Sequence, residues 1–192
     1  MRAFIAIDVP EEVREKAYSV ARRIAEETGA RAADRDSMHI TLHFLGNIDD
    51  AQRSKVEYAM DALHAERFGV EVKGVGFFGG KEPRVAIASI GEGSSEIIGI
   101  YKKLYQPVSD AGITLERREF TPHLTLARMK NERHEIIGTA KISSTLQELA
   151  EEYKDFAFGS FLCDRIMLKK SEFAKGGVVH TTLHEKIFTS QP

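Results

Sequence analysis

Residues 39–46 read HITLHFLG and residues 123–128 read HLTLAR. In both, polar and apolar residues alternate, which is the period of a half-buried strand and not of a helix. The first run ends at Gly46-Asn47, a turn signal. Residues two apart on a strand share a face and stand about 6.6 Å apart. His39 and Thr41 therefore look one way while Ile40 and Leu42 look the other, and the same holds for His123 and Thr125 against Leu124 and Leu126. The offset of the histidines, 123 − 39 = 84 residues, marks an internal repeat.

The surrounding elements follow the same order twice. A strand over 2–8, an amphipathic helix over 10–28, the strand at 39–46, a helix over 49–64 and a Val- and Phe-rich strand over 68–78 make the first half. A strand over 84–90, a helix over 94–112, the strand at 123–128, a helix over 143–153 and one long or two short strands over 156–169 make the second. Pro107 is expected to kink or shorten its helix. A closing hairpin, 167–170 with 180–189 across Lys175-Gly176-Gly177, finds no counterpart in the first half. The reading is an α+β fold over 1–192: a single domain of two pseudo-symmetric lobes, each an antiparallel sheet backed by helices, with a groove between them and a lobe boundary near 79–83.

Composition narrows the function classes. With 27 Lys and Arg against 29 Asp and Glu, the chain carries a formal charge of −2, so no overall field gathers long nucleic acid and any such contact is local. One cysteine, Cys163, excludes an internal disulfide and a thiolate zinc cage, which suits the cytoplasm. The apolar start MRAFIAIDV is too short for a signal segment, and no window approaches the roughly 18–20 apolar residues of a membrane span, so a soluble protein with no membrane partner is expected.

Two imidazoles with ordinary pKa values near 6.5 can hold opposite protonation states at neutral pH. One accepts a proton while the other donates, and no metal or other cofactor is called for. Threonine hydroxyls are ligands for phosphoryl oxygens. In-line opening of a phosphodiester needs a base on one side of phosphorus and an acid on the other. The residues leave open which histidine plays which part.

Chance placement of 7 His among the threonines of this chain yields about a third of one His-x-Thr match, yet there are three. The third, His180-Thr181-Thr182, lies in the unpaired hairpin and reads as a solvent-facing edge strand. His43 shares the expected face of His39, but residues four apart on a strand stand about 13 Å apart, too far for one metal ion; it reads as a groove-lining or hydrogen-bonded polar residue. His64, His134 and His184 have no companions. Glu148, Glu151 and Glu152 read as an exposed helix face. Arg117-Arg118 and Lys169-Lys170 read as solvated surface or contacts to flanking phosphates, and Phe44 and Phe120 as core packing ahead of base stacking.

Together, RAFIAIDVPEE, HITLHFLG and FTPHLTLARMK resemble the two-histidine phosphoesterase superfamily, in its RNA 2′,3′-cyclic phosphodiesterase branch, also called 2′-5′ RNA ligase, the LigT or ThpR family. The resemblance implies hydrolysis of an RNA 2′,3′-cyclic phosphate end to a 2′-phosphomonoester; a monomer is expected. It assigns His39 as proton donor to the leaving 3′ oxygen, His123 as proton acceptor from water, Thr41 and Thr125 as phosphate ligands, and Arg128 as a further phosphate contact. It also implies the reverse reaction, ATP-independent 2′-5′ joining of tRNA halves. Arg128 has the opposite strand parity to His123 and Thr125, so a twist or strand end must bring it back to their face. Rival readings are a phosphodiesterase of small cyclic nucleotides or ADP-ribose cyclic phosphates, and a non-catalytic RNA-end binder.

Overall fold

The computed structural model describes residues 1–80, 83–117, 119–129, 136–174 and 177–189, and of residues 136–143 the backbone alone. Arg118, His134, Lys175, Gly176 and residues 81–82 of the expected lobe boundary lie outside the described residues.

The chain runs β1 (Arg2–Asp8), α1 (Glu11–Thr28), β2 (Arg31–Ala32), a short 3-10 turn (Arg35–Ser37), β3 (His39–Asn47), α2 (Asp50–Asp61), β4 (Phe68–Phe78), β5 (Val85–Ile90), α3 (Ser94–Asp110), β6 (His123–Arg128), α4 (Ile136–Glu152), β7 (Ala157–Cys163), β8 (Arg165–Ala174) and β9 (Gly177–Ile187). Helix α1 buries Val13, Ala17, Val20, Ala21 and Ile24 along one stripe and ends at Gly29 in the left-handed conformation. Helix α2 opens on a capping box, in which the Asp49 carboxylate accepts from the Gln52 N–H and the Gln52 side chain accepts from the Asp49 N–H. Helix α3 continues through Pro107 to Asp110. That proline sits one turn from the helix end, where it removes a single backbone bond and does not break the rod.

The strands form one antiparallel sheet in the order β7-β4-β5-β6-β3-β1-β8-β9, with β2 attached to β6. The order is symmetric about its centre. β6 with β5, β4 and β7 mirrors β3 with β1, β8 and β9, so the closing hairpin has a counterpart after all: β4 paired with β7. The chain ends, and not the chain halves, complete each lobe. Segment 79–83 joins β4 to β5 within one half, and the division in space falls between β3 and β6, whose one register pair is Ile40 with Leu124. Both residues are fully buried. The bilobal α+β architecture is thus built on a continuous sheet pinched at its middle. Helix α1 packs on β6, β7 and α4, while α2 and α3 pack on each other and reach β9 and β3 respectively. The helices leave the opposite face of the sheet as a groove.

One backbone position is tightly constrained. Gly93, at the start of α3, has φ 82° and ψ −5°, and a Cβ there would stand 2.3 Å from the Gly69 carbonyl oxygen on β4. Gly80 also has a positive φ, 61°, but nothing lies within 4 Å of its would-be Cβ. Gly93→Ala is expected to cost about 3 kcal/mol or more in urea unfolding, and Gly80→Ala only the ~1–2 kcal/mol of left-handed strain. Equal midpoints for the two variants would contradict the close approach of α3 to β4.

Candidate active site

Each His-x-Thr-x motif carries a β-bulge at the same place. On β3 the register with β1 pairs Ala6 with Thr41 but Ile5 with His43, leaving Leu42 as an extra residue. On β6 the register with β5 pairs Ile87 with Thr125 but Ala86 with Ala127, leaving Leu126 as the extra one. A bulge re-aims every side chain that follows it. His39 and Thr41 face the groove with Asp8 and Ala6, their neighbours on β1; after the bulge His43 turns to the helix side and Phe44 to the groove side. In parallel, His123 and Thr125 face the groove, Ala127 turns inward and Arg128 comes round to the groove. The bulge is what returns Arg128 to the face of His123.

His43 is therefore not on the face of His39. It is 3% exposed, its Nε2–H donates to the Tyr101 carbonyl oxygen at 2.9 Å, and its ring stacks on that of Tyr101 at 4.3 Å. Burial holds its pKa below the ordinary histidine value, against the opposing pull of the Tyr101 carbonyl. Phe44 and Phe120 part company. Phe44 is 50% exposed, with its ring 6.4 Å from that of Phe4, so it lines the groove and is not core. Phe120 stacks on Tyr101 at 4.1 Å and packs against the core.

Extending the Ile40–Leu124 register by one residue each way sets Thr125 opposite His39 and His123 opposite Thr41. The two imidazoles thus belong to diagonal positions of adjacent strands, about 7–8 Å apart at the backbone.

The surroundings of the two rings differ. The His123 Nδ1–H donates to the carbonyl of Thr121 at 2.7 Å, which leaves Nε2 as the acceptor nitrogen of the neutral ring, and the Phe78 ring stands against it at 4.8 Å, nearly perpendicular. His39 stacks on Phe4 at 4.6 Å and meets the edge of His180 at 5.1 Å. Its pKa is lowered to about 4, first by burial, then by the neighbouring His180 and Lys169; Asp8 and the hydrogen bond that the ring donates to the Ser37 backbone pull the other way. Lys169, 9% exposed, gives its ammonium to both Asp8 oxygens at 2.5 and 2.6 Å. It is part of the wall behind His39 and not a solvated surface lysine.

His180, expected on a solvent-facing edge strand, packs instead against Phe4 and His39. On β9 it pairs with Ser171 of β8, and its ring lies 4.9 Å from Phe4 as well as against His39. Its own pKa is lowered by burial first and then by Lys169. His184 also has a partner, the Asp61 carboxylate at 2.8 Å. Glu152 pairs with Arg23, and Glu151 with Lys154, on an exposed helix face. Burial pushes the Cys163 thiol up to about 12, so it holds no thiolate at neutral pH. Among the described residues no three of His, Cys, Asp and Glu group as metal ligands, and no helix is long and apolar enough to cross a membrane.

A profile of LigT-like phosphoesterases matches residues 7–87 and 90–180. An RNA 2′,3′-cyclic phosphodiesterase of Methanocaldococcus jannaschii is 29% identical over 185 residues, covering 96% of this chain and 99% of the relative. One from Thermotoga maritima is 30% identical over 189 residues, covering 96% and 94%. The crystal structure of Escherichia coli LigT complexed with 3′-AMP superposes with a TM-score of 0.79 at 23% identity, covering 98% of each chain.

Proposed function

The chain belongs to the LigT-like phosphoesterase family, and from that premise we propose that it is an RNA 2′,3′-cyclic phosphodiesterase that opens the ring by paired histidine acid/base chemistry. The observation that carries the reading is the pair of identically bulged His-x-Thr-x strands meeting at Ile40 and Leu124. Water is the nucleophile. Its oxygen bonds to phosphorus as the bond from phosphorus to the 3′ oxygen breaks. His123 Nε2 takes the proton from water, a role its Nδ1 bond to Thr121 prepares. His39 gives its proton to the departing 3′ oxygen, and the product is a 2′-phosphomonoester. Thr41 and Thr125 hold the non-bridging oxygens, and Arg128 balances their charge. With a 5′-hydroxyl in place of water as the nucleophile, His123 taking its proton and His39 again protonating the departing 3′ oxygen, the same step would join a 5′-hydroxyl end to a cyclic phosphate, the 2′-5′ ligation of tRNA halves. The working unit in this reading is one chain in the cytoplasm.

The His39 environment fits an acid that is charged by its substrate. With its pKa held well below the ordinary histidine value, first by burial, His39 is almost wholly neutral at pH 7 in the ligand-free protein. A phosphodiester anion between the rings raises the protonated fraction, so the proton enters with the charge it is to serve.

The test is product analysis on a short RNA ending in a 2′,3′-cyclic phosphate, run in excess EDTA. The expected product carries its phosphate on the 2′ oxygen, at a rate the chelator leaves intact. A 3′-phosphate product, or activity abolished by EDTA and restored by a divalent ion, overturns the mechanism.

A further inference from the structure

Strand β2 is two residues long, and it pairs with β6 through Arg31 with Arg128 and Ala32 with Ala127. Directly opposed residues on paired strands share a face. Ala32 therefore turns inward with Ala127, and Arg31 emerges beside Arg128 on the groove face. Like charges placed opposite one another destabilise a strand pair. Several other arginines of this chain are neutralised: Arg23 by Glu27 and Glu152, Arg35 by Glu11 and Glu15, Arg165 by Asp164 and Glu185. Neither the Arg31 nor the Arg128 side chain makes a hydrogen bond or an ion pair with another described residue. Two exposed arginines are thus held at opposed positions of a strand pair at a cost, with no acidic side-chain partner among the described residues.

Their position gives the cost a purpose. Along β6 the groove face carries His123, then Thr125, then Arg128, so the arginine pair lies beyond Thr125 and, across the sheet joint, beyond His39. Phe44 lies past the other end, beyond Thr41 and His123. Resting on the function proposed above, we infer that Arg31, set beside the Arg128 that serves the reacting phosphate, forms a second anion subsite that takes the phosphodiester on the 5′ side of the terminal nucleotide. Arg128 stands nearer the reacting phosphate and Arg31 farther out. A free nucleoside 2′,3′-cyclic phosphate has nothing to place there. The subsite makes the groove select the end of a chain over a free cyclic nucleotide, although the protein as a whole is slightly acidic.

The experiment compares a dinucleotide ending in a 2′,3′-cyclic phosphate with the matching nucleoside 2′,3′-cyclic phosphate. In Arg31→Ala the ratio of their kcat/KM values is expected to fall about tenfold or more, and Arg31→Lys to recover part of it, because lysine keeps the charge but not the two-pronged geometry. The slope of log KM for the dinucleotide against log salt is expected to lessen by about 0.7, one single-strand phosphate contact. Arg31→Ala should melt no earlier than wild type, since it removes one of two facing charges. A second arm needs no turnover: anisotropy of a labelled dinucleotide bearing a 2′-phosphate, expected to bind Arg31→Ala about tenfold more weakly. An unchanged ratio together with unchanged binding overturns the subsite. If the wild-type protein hydrolyses neither substrate, the proposed reaction falls, and the anisotropy arm still decides the subsite.

Discussion

Replacing His39 or His123 by alanine is expected to cut kcat on an RNA 2′,3′-cyclic phosphate by about 10²–10⁴ in each case, the range for a positioned proton-transfer group. The double variant should lose little more than the worse single one, because the two rings serve one step and residues that act as a unit are not additive. Affinity for the 2′-phosphate product should change far less than kcat, since the hydroxyls of Thr41 and Thr125 and the charge of Arg128 remain. Neither change should unfold the protein: both side chains are only partly buried, on strands whose opposite faces are pinned by Ile40, Leu42, Leu124 and Leu126. Steady-state rates with product-binding titrations of the same preparations check the prediction. A single variant that keeps a tenth of the wild-type rate would place the chemistry elsewhere. A non-catalytic RNA-end binder would show no turnover to lose and product affinity indifferent to both rings.

The two-histidine pattern was legible because strand periodicity is strict. A polar pair at i and i+2 inside an apolar alternation states both the element and its exposed face, and a second copy 84 residues on states the repeat. The bulges were not legible, since an extra residue in a strand has no obligatory residue type. Leu42 and Leu126 look like the next apolar step of the alternation, so His43 was assigned to the wrong face and Phe44 to the core. Leu126-Ala127-Arg128, two small or apolar residues running on before a charge, was the available signal, because it breaks the alternation that an exposed Arg128 would otherwise require. His180 was missed for a different reason. The excess of His-x-Thr matches over chance pointed to it, but its lobe is completed by the chain end, and β4 with β7, its spatial counterpart, does not follow the same order in sequence. Symmetry in strand order is invisible to a comparison made along the chain.

The largest physical asymmetry between the two rings should be visible in the ligand-free protein. His39 is expected to titrate with a midpoint near 4 by NMR, well below the ordinary histidine value, because protonating it costs solvation in the stack against Phe4 and adds a third cation beside His180 and Lys169. Two perturbations move that midpoint upward. A bound phosphate monoester supplies the opposite charge, and His180→Gln removes one of the competing cations while keeping a polar side chain. The same shift has a stability consequence. The folded pKa lies below the unfolded one, so between about pH 6.5 and 4 the unfolded chain binds a proton that the folded chain refuses. This contribution is present above pH 6.5 and is lost as pH falls through the window, by up to about 1.4 kcal/mol per pH unit. His43 and His180 are shifted in the same direction, so thermal melts of wild type alone would not isolate it. The difference between wild type and His39→Asn, followed from pH 7 to pH 4.5, does: the wild type should lose stability more steeply. A midpoint near 6.5, indifferent to phosphate and to His180, would mean that the ring stands in open water, and the idea that the substrate's own charge loads the acid with its proton would have to be abandoned.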